Sequence, residues 1–217
     1  MSTKLTNSII FALWLFLVGA SAWFYQALPE EVAIHWNAKG EVDGYATRFW
    51  GVTLMPIIML GLWALFYFLS KKVNQPQPQG LQNSAFNLLQ VGFFFFMSVI
   101  GGATLAVNLG VVLDITKVIT VMFGGLFILL GYLLPKMKRN IWAGVRLPWT
   151  LKSDWVWQKT HQFAGRLFMI LGVIILGLSF LASQWVIFVL LFLPIGVLLA
   201  LAVYSYRLAS KEKKGEE

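Results

Sequence analysis

Residues 167–206 read LFMILGVIILGLSFLASQWVIFVLLFLPIGVLLALAVYSY and contain no charged side chain. A helix rises about 1.5 Å per residue, and the hydrocarbon core of a bilayer is about 30 Å thick. The stretch is therefore too long for one membrane crossing and long enough for two. Its polar break near the middle is Ser183-Gln184, which marks a tight turn between spans at about 163–182 and 185–206. Working outward, four more apolar runs have crossing length: 9–27, 49–69, 88–107 and 118–134. None alternates polar with apolar residues, as a barrel strand would. Backbone groups in lipid must be satisfied within the segment, so each run is expected to be helical.

Composition agrees. The chain has 217 residues, 59% hydrophobic and 12% charged, against about 25% charged in soluble domains. Such a chain cannot cover a surface facing water. The first run follows only Lys4 and resembles a signal peptide in its basic start, but it is longer than an h-region of about 7–15 residues. The bulky GASAWFYQA lies where a cleavage site would be, so the run is read as a retained span. Pro56 and Pro194 fall inside spans, where they are expected to kink the helices. Gly101-Gly102 and Gly124-Gly125 are expected to let helices approach closely. The connector KKVNQPQPQG, residues 71–80, reads as a plain flexible link. No internal repeat is evident.

Charge sets the orientation. With the amino terminus inside, the inner segments carry Lys4, Lys71, Lys72, Lys136, Lys138, Arg139, Arg146, Lys152, Lys159, Arg166, Arg207, Lys211, Lys213 and Lys214, fourteen of seventeen basic residues. Only Lys39, Arg48 and Lys117 remain outside. The positive-inside rule then gives an all-α polytopic membrane helix bundle with six transmembrane helices and both termini cytoplasmic. Topology and anionic membrane lipid account for the net charge of +8, so no nucleic-acid partner is implied.

The outer loop, 28–48, reads LPEEVAIHWNAKGEVDGYATR. Val32, Ile34 and Trp36 alternate with Ala33 and His35, while Asn37 to Gly40 and Asp43-Gly44 are turn signals, so a short hairpin on the membrane surface is expected. Trp36, Tyr45 and Trp50 suit the interfacial aromatic belt. Glu30, Glu31, Glu41 and Asp43 against Lys39 and Arg48 leave the loop at net −2. That charge mildly attracts cationic or amphipathic ligands, and insertion bias alone also accounts for it.

The inner segment, 135–162, is dense in basic residues and tryptophan. Gly144 and Pro148 predict an irregular, re-entrant or surface-hugging loop over Asn140 to Thr150. Ser153 is a good N-cap, Asp154 suits the first helical turn, and the helix continues into the fifth span. Asp154, Trp157, His161 and Gly165 fall near one stripe. Asp154 is expected to pair with Arg146 or Arg166, and an arginine to stack on Trp149, Trp155 or Trp157. Basic residues and tryptophans at an interface also describe a plain membrane anchor.

Catalysis is poorly supported. Thr160 and His161 are adjacent and point in different directions, Asp154 lies about 10 Å along the helix from His161, and no phosphate loop or paired carboxylates occur. There is no cysteine, and the two histidines, His35 and His161, lie far apart, so no zinc site and no cofactor are expected.

One ordered pattern remains. N-x-x-x-G-x-R-x-P-W-T-L…W-x-x-T-H-x-x-A-G-R places Asn140, Gly144, Arg146, Pro148, Trp149, Thr150, Trp157, Thr160, His161, Gly165 and Arg166 in register. It resembles the signature loop of the SdpI family of bacterial membrane proteins. The upstream pattern, with Pro29, His35, Asn37, Gly40, Asp43 and Gly44, resembles the family's amino-terminal domain of unknown function. Ala33 stands where the family often has proline, and Gln162 where a basic residue commonly follows Thr-His. The resemblance implies a multi-pass protein of the bacterial plasma membrane that confers resistance to a secreted peptide toxin. It also implies signal transduction, by holding a soluble repressor at the membrane. The inner loop, Asp154 included, is then structural or meets that regulator. A small-solute or peptide transporter is the alternative. Its polar path would have to use Ser21, Thr53, Asn87, Gln90, Ser98, Thr104 and Ser179, with no charge at depth.

Overall fold

The computed structural model describes residues 1–73, 83–141, 143–180 and 186–215. Among these, six helices are long and apolar enough to cross a membrane. They are α1 (Thr3–Phe24), α2 (Arg48–Val73), α3 (Asn83–Asn108), α4 (Ile115–Leu133), α5 (Asp154–Leu178) and α6 (Val186–Lys214). Short 3₁₀ turns follow α1 at Tyr25–Ala27 and α4 at Leu134–Lys136. Between α1 and α2 lies a two-stranded antiparallel hairpin, β1 (Glu31–Trp36) and β2 (Val42–Thr47). The chain is a mostly helical, multi-pass membrane protein. The turn expected at Ser183-Gln184 and most of the 71–80 connector lie outside the described residues.

Three helix starts are capped by side chains, Ser153 as expected. Ser2 Oγ accepts from Leu5 N at 3.3 Å, Asp114 Oδ1 from Lys117 N at 2.9 Å and Ser153 Oγ from Val156 N at 3.1 Å. Each satisfies an amide that the helix leaves orphaned. α1 packs with α2 and α3, and the row continues through α4, α5 and α6. One core joins Phe86 of α3, Leu133 of α4, Ala164 of α5 and Leu201 of α6 at the end opposite the hairpin. A second joins Ile10 and Leu17 of α1 to Met59 and Phe94. Pro56 sits within α2, and its carbonyl accepts from Trp14 Nε1 of α1 at 3.0 Å. Large apolar side chains, among them Phe16, Phe68, Phe192 and Leu199, lie exposed on the outward helix faces, where lipid rather than water is the physical solvent.

α4 and α5 make the closest pair. Gly124 and Gly131 of α4 face Gly172 and Gly165 of α5: a Cβ on Gly131 would lie 2.7 Å from Gly165 O, and one on Gly172 would lie 2.7 Å from Gly124 O. Within a bilayer, close backbone packing drives helix association, because lipid tails are as apolar as leucine. Gly102 and Gly125 have open space beside them, so only the first member of each adjacent pair serves an interface. Successive helical residues are rotated about 100°.

The hairpin departs from simple alternation. Ala33 pairs with Tyr45 and His35 with Gly44, with register shifts on both sides of His35. Val32 and Ala33 are both buried while Ile34 and His35 are exposed. An irregularity of this kind shifts the side-chain phase by one, so Val32, Ile34 and Trp36 do not share a face. Asn37 to Gly40 forms the turn, with Asn37 Oδ1 accepting from Lys39 N at 2.8 Å and Glu41 N at 3.1 Å. Asp43-Gly44 is not a turn: it lies inside β2, where Gly44 admits His35.

Candidate functional site

The described residues of 137–153 and the first two turns of α5 form one hydrogen-bonded unit. Its anchor is Trp157, which is buried and donates from Nε1 to Met137 O at 2.8 Å. His161, one turn on, stacks on Trp157 with ring centroids 4.0 Å apart. His161 Nδ1 lies 2.8 Å from Trp157 O, and Nε2 accepts from Val145 N at 3.1 Å. A ring nitrogen facing a carbonyl carries the proton and one facing an N–H does not, so the ring is neutral. Gly144 makes the approach possible: at φ +112°, its α-carbon lies where a Cβ would meet His161 Nε2 at 2.3 Å.

The loop on either side is wired locally. Asn140 Oδ1 accepts from Ala143 N at 2.8 Å. The buried Thr150 hydroxyl bonds Val145 O at 2.7 Å and accepts from Leu147 N at 2.9 Å, closing the Leu147–Leu151 turn that holds Pro148 and Trp149. Trp149 Nε1 donates to Ser205 Oγ of α6 at 2.9 Å, and its ring meets Tyr206 edge-on at 5.4 Å. Ser153, while capping α5, also bonds the Glu212 carboxylate of α6. The loop thus ties α4, α5 and α6 together at one end of the bundle.

Two expected pairings are corrected. Asp154 pairs neither with Arg146 nor with Arg166. Its Oδ1 accepts from Arg139 Nε at 2.7 Å, and Arg139 Nη1 also reaches Leu151 O at 2.7 Å. Arg139 leaves the α4 end on the side where α5 starts, whereas Arg166 lies three turns away along α5. Arg146 is exposed and donates to Ile141 O at 2.8 Å. Trp157 stacks on His161, not on an arginine. Gly165 belongs to the α4–α5 seam, where Pro135 Cγ would lie 2.5 Å from an added Cβ. Thr160 is fully buried and its hydroxyl has no hydrogen-bond partner, so it forms no pair with His161.

The hairpin residues gather at the other end. His35 Nδ1 and Asp43 Oδ1 are 2.5 Å apart and exposed. Pro29 O accepts from Arg48 Nε at 3.1 Å, and Gly40 turns the loop at φ +80°. A residue unmarked by sequence reasoning holds the hairpin down: Asn108, the last of α3. Its Oδ1 accepts from Ala33 N at 2.7 Å, and its Nδ2 donates to Ala33 O at 2.9 Å. Arg139, Ser205 and Glu212 were likewise unmarked. A signal existed for Gly131 and Gly172, because 124/131 and 165/172 repeat at the same interval of seven.

Comparison with known proteins accords with this geometry. Residues 136–205, which hold the wired loop, α5 and most of α6, match the model of the SdpI/YfhL protein family. The chain is 29% identical over 187 residues to "Immunity protein SdpI" of Bacillus subtilis (strain 168), covering 86% of this chain and 87% of that protein. The carboxy-terminal third of the chain is thus similar to the SdpI/YfhL protein family. Residues 12–60, spanning α1, the hairpin and the start of α2, match a domain of unknown function (DUF1648). No solved structure matches the chain. The SdpI/YfhL match begins at Lys136, and of the side chains that tie α4, α5 and α6 together, Arg139, Trp149, Ser153, Trp157 and Ser205 fall within it, whereas Glu212 lies beyond its end.

Proposed function

We propose that this protein is a member of the SdpI/YfhL family and an immunity protein of the bacterial cytoplasmic membrane that protects its cell from a secreted antimicrobial peptide by binding, without catalysis. The observation that carries the reading is the likeness, along most of both chains, to a protein named for immunity. The chemistry agrees: both His161 nitrogens are committed to backbone groups and Asp154 to Arg139, which leaves the signature loop no free base. Both termini and the signature loop face the cytoplasm, because fourteen of seventeen basic residues lie at that end. The hairpin faces outward, with exposed Tyr45 and Trp50 at the lipid interface. The exposed loop surface around Lys138, Arg146 and Lys152 is where a cytoplasmic repressor would be held during signalling.

Expression in a strain sensitive to membrane-active peptides should raise the inhibitory concentration of at least one of them. A Trp149→Ala variant, which removes the indole tie from the loop to Ser205 and Tyr206 of α6, should abolish the gain while still inserting into the membrane. Unchanged tolerance across a panel of such peptides would overturn the reading.

A further inference from the structure

Beneath the hairpin, α1, α2 and α3 do not close on one another. They leave a small open cleft of about 80 Å³, below the roughly 300–1,000 Å³ of a site that encloses a whole small molecule and on the scale of an inserted side chain. Leu17 and Ser21 of α1, Val32 of β1, Val52 and Met55 of α2 and Thr104 of α3 form its walls. The walls are held by close contacts. A Cβ on Gly51 would meet Val32 Cγ2 at 1.9 Å, and one on Gly101 would meet Leu17 Cδ2 at 2.8 Å. Asn108 clamps β1 over the top. The cleft is preformed rather than a gap awaiting collapse.

Its lining is mostly apolar with a few polar groups. Pro56 also lines it and has no N–H, so the Val52 carbonyl lacks its helical donor on the same wall. Ile34, Leu54 and Ile58 line the cleft while remaining exposed. At the start of β1 stand the exposed Glu30 and Glu31, while across the hairpin Asp43 is paired with His35 and Glu41 accepts from Asn37 Nδ2. The opposing Arg48 is already engaged by Pro29 O and the Tyr25 ring. An occupant that matches this site carries apolar side chains for the cleft and positive charge for its rim.

We propose that the cleft under the hairpin is the binding site for a cationic amphipathic peptide, whose apolar side chains enter between α1, α2 and α3 while its basic residues meet the glutamates of β1. The proposal deepens the immunity reading and rests on it for the choice of a peptide over other amphiphiles. A neutral acyl chain would gain nothing from the acidic rim.

The test places the full chain in nanodiscs of neutral phosphatidylcholine, with a dansyl-labelled Leu/Lys amphipathic helix as probe and its Leu/Glu counterpart as control. The Leu/Lys probe should bind the chain about tenfold more tightly than it binds empty discs, and the Leu/Glu probe should not. Ser21→Leu, which fills the cleft, and Glu30→Gln/Glu31→Gln, which strips the rim, should each remove that difference, and Gly125→Ala, on α4 away from the cleft with open space beside it, should keep it. Should Ser21→Leu fail to fold, the rim variant alone decides. Binding no tighter than to empty discs, equal binding of the Leu/Glu probe, or undiminished binding by the variants would overturn the proposal. So would native mass spectrometry that finds a phospholipid retained by the wild type and lost from Ser21→Leu. Protection of cells without this binding leaves the immunity reading standing and removes the cleft from it, whereas binding without protection does the reverse.

Discussion

A histidine whose Nδ1 faces Trp157 O and whose Nε2 accepts from Val145 N has no lone pair left for chemistry. Its neighbours explain why it is there. Val145 follows the tight bend at Gly144, and its amide sits part-buried against α5. A buried donor without a partner costs about 1–3 kcal/mol, and the His161 ring supplies the acceptor. Gly144 is the residue that permits this. Alanine there would need a left-handed backbone, costing about 1–2 kcal/mol, and its Cβ would press on a ring pinned by two hydrogen bonds and a stacked indole. Gly144→Ala should therefore destabilise the protein by about 2 kcal/mol or more, read as a lowered midpoint of unfolding in detergent micelles. Little of this was legible in the sequence. The spacing marked Gly144, Trp157 and His161 as belonging together, but a side-chain bond to a backbone amide sixteen residues away leaves no trace in composition or period. The Asp154 pairing failed for the same reason. Seven basic residues surround it in the sequence, and only the path of the chain after α4 selects Arg139.

At the scale of elements, the α4–α5 seam and the hairpin clamp make opposite demands. The seam needs absence of side chain. Gly124, Gly131, Gly165 and Gly172 recur every seven residues on two antiparallel helices, so the same faces meet twice along the seam. Gly172→Val would push Ile128 and the Gly124 carbonyl away and should strongly reduce the yield of folded protein. Gly125→Ala, with nothing within 4 Å of its added Cβ, should leave yield unchanged or raise it slightly, since alanine is the better helix former. Size-exclusion profiles of the two variants would separate the faces. The hairpin needs the reverse, one polar side chain at the end of α3. Asn108→Leu keeps a similar bulk and strips the bonds to Ala33. It should loosen the hairpin without unfolding the bundle, seen as faster trypsin cleavage at Lys39 in reconstituted protein. The helices were legible because lipid imposes one requirement on every residue of a span. The hairpin's existence was legible from its turn residues, whereas its phase was not, because the irregularity beside His35 moves every following side chain to the other face.

At the scale of the whole molecule, the two ends of the bundle differ in charge and in construction. The hairpin end is a small sheet held by Asn108 over an open cleft, with an acidic surface. The opposite end is closed by the wired loop, where side chains from α5 and α6 meet it at Met137 O, Ser205 and Glu212, under a basic surface. Insertion bias acts on the basic residues during synthesis, and each Lys or Arg near an anionic surface contributes about 1 kcal/mol. The excess of fourteen basic residues over three is therefore expected to hold the wired loop on the cytoplasmic side. The absence of cysteine from the chain makes this directly measurable, since any thiol introduced is the only one present. Lys39→Cys in the hairpin turn and Lys152→Cys in the wired loop both place it at exposed positions. In intact cells a membrane-impermeant maleimide should label the first and not the second, and permeabilised cells should show both labelled at similar rates. Labelling of Lys152→Cys from the medium would invert the topology, place the acidic cleft in the cytoplasm, and leave a secreted peptide no route to it except across the bilayer.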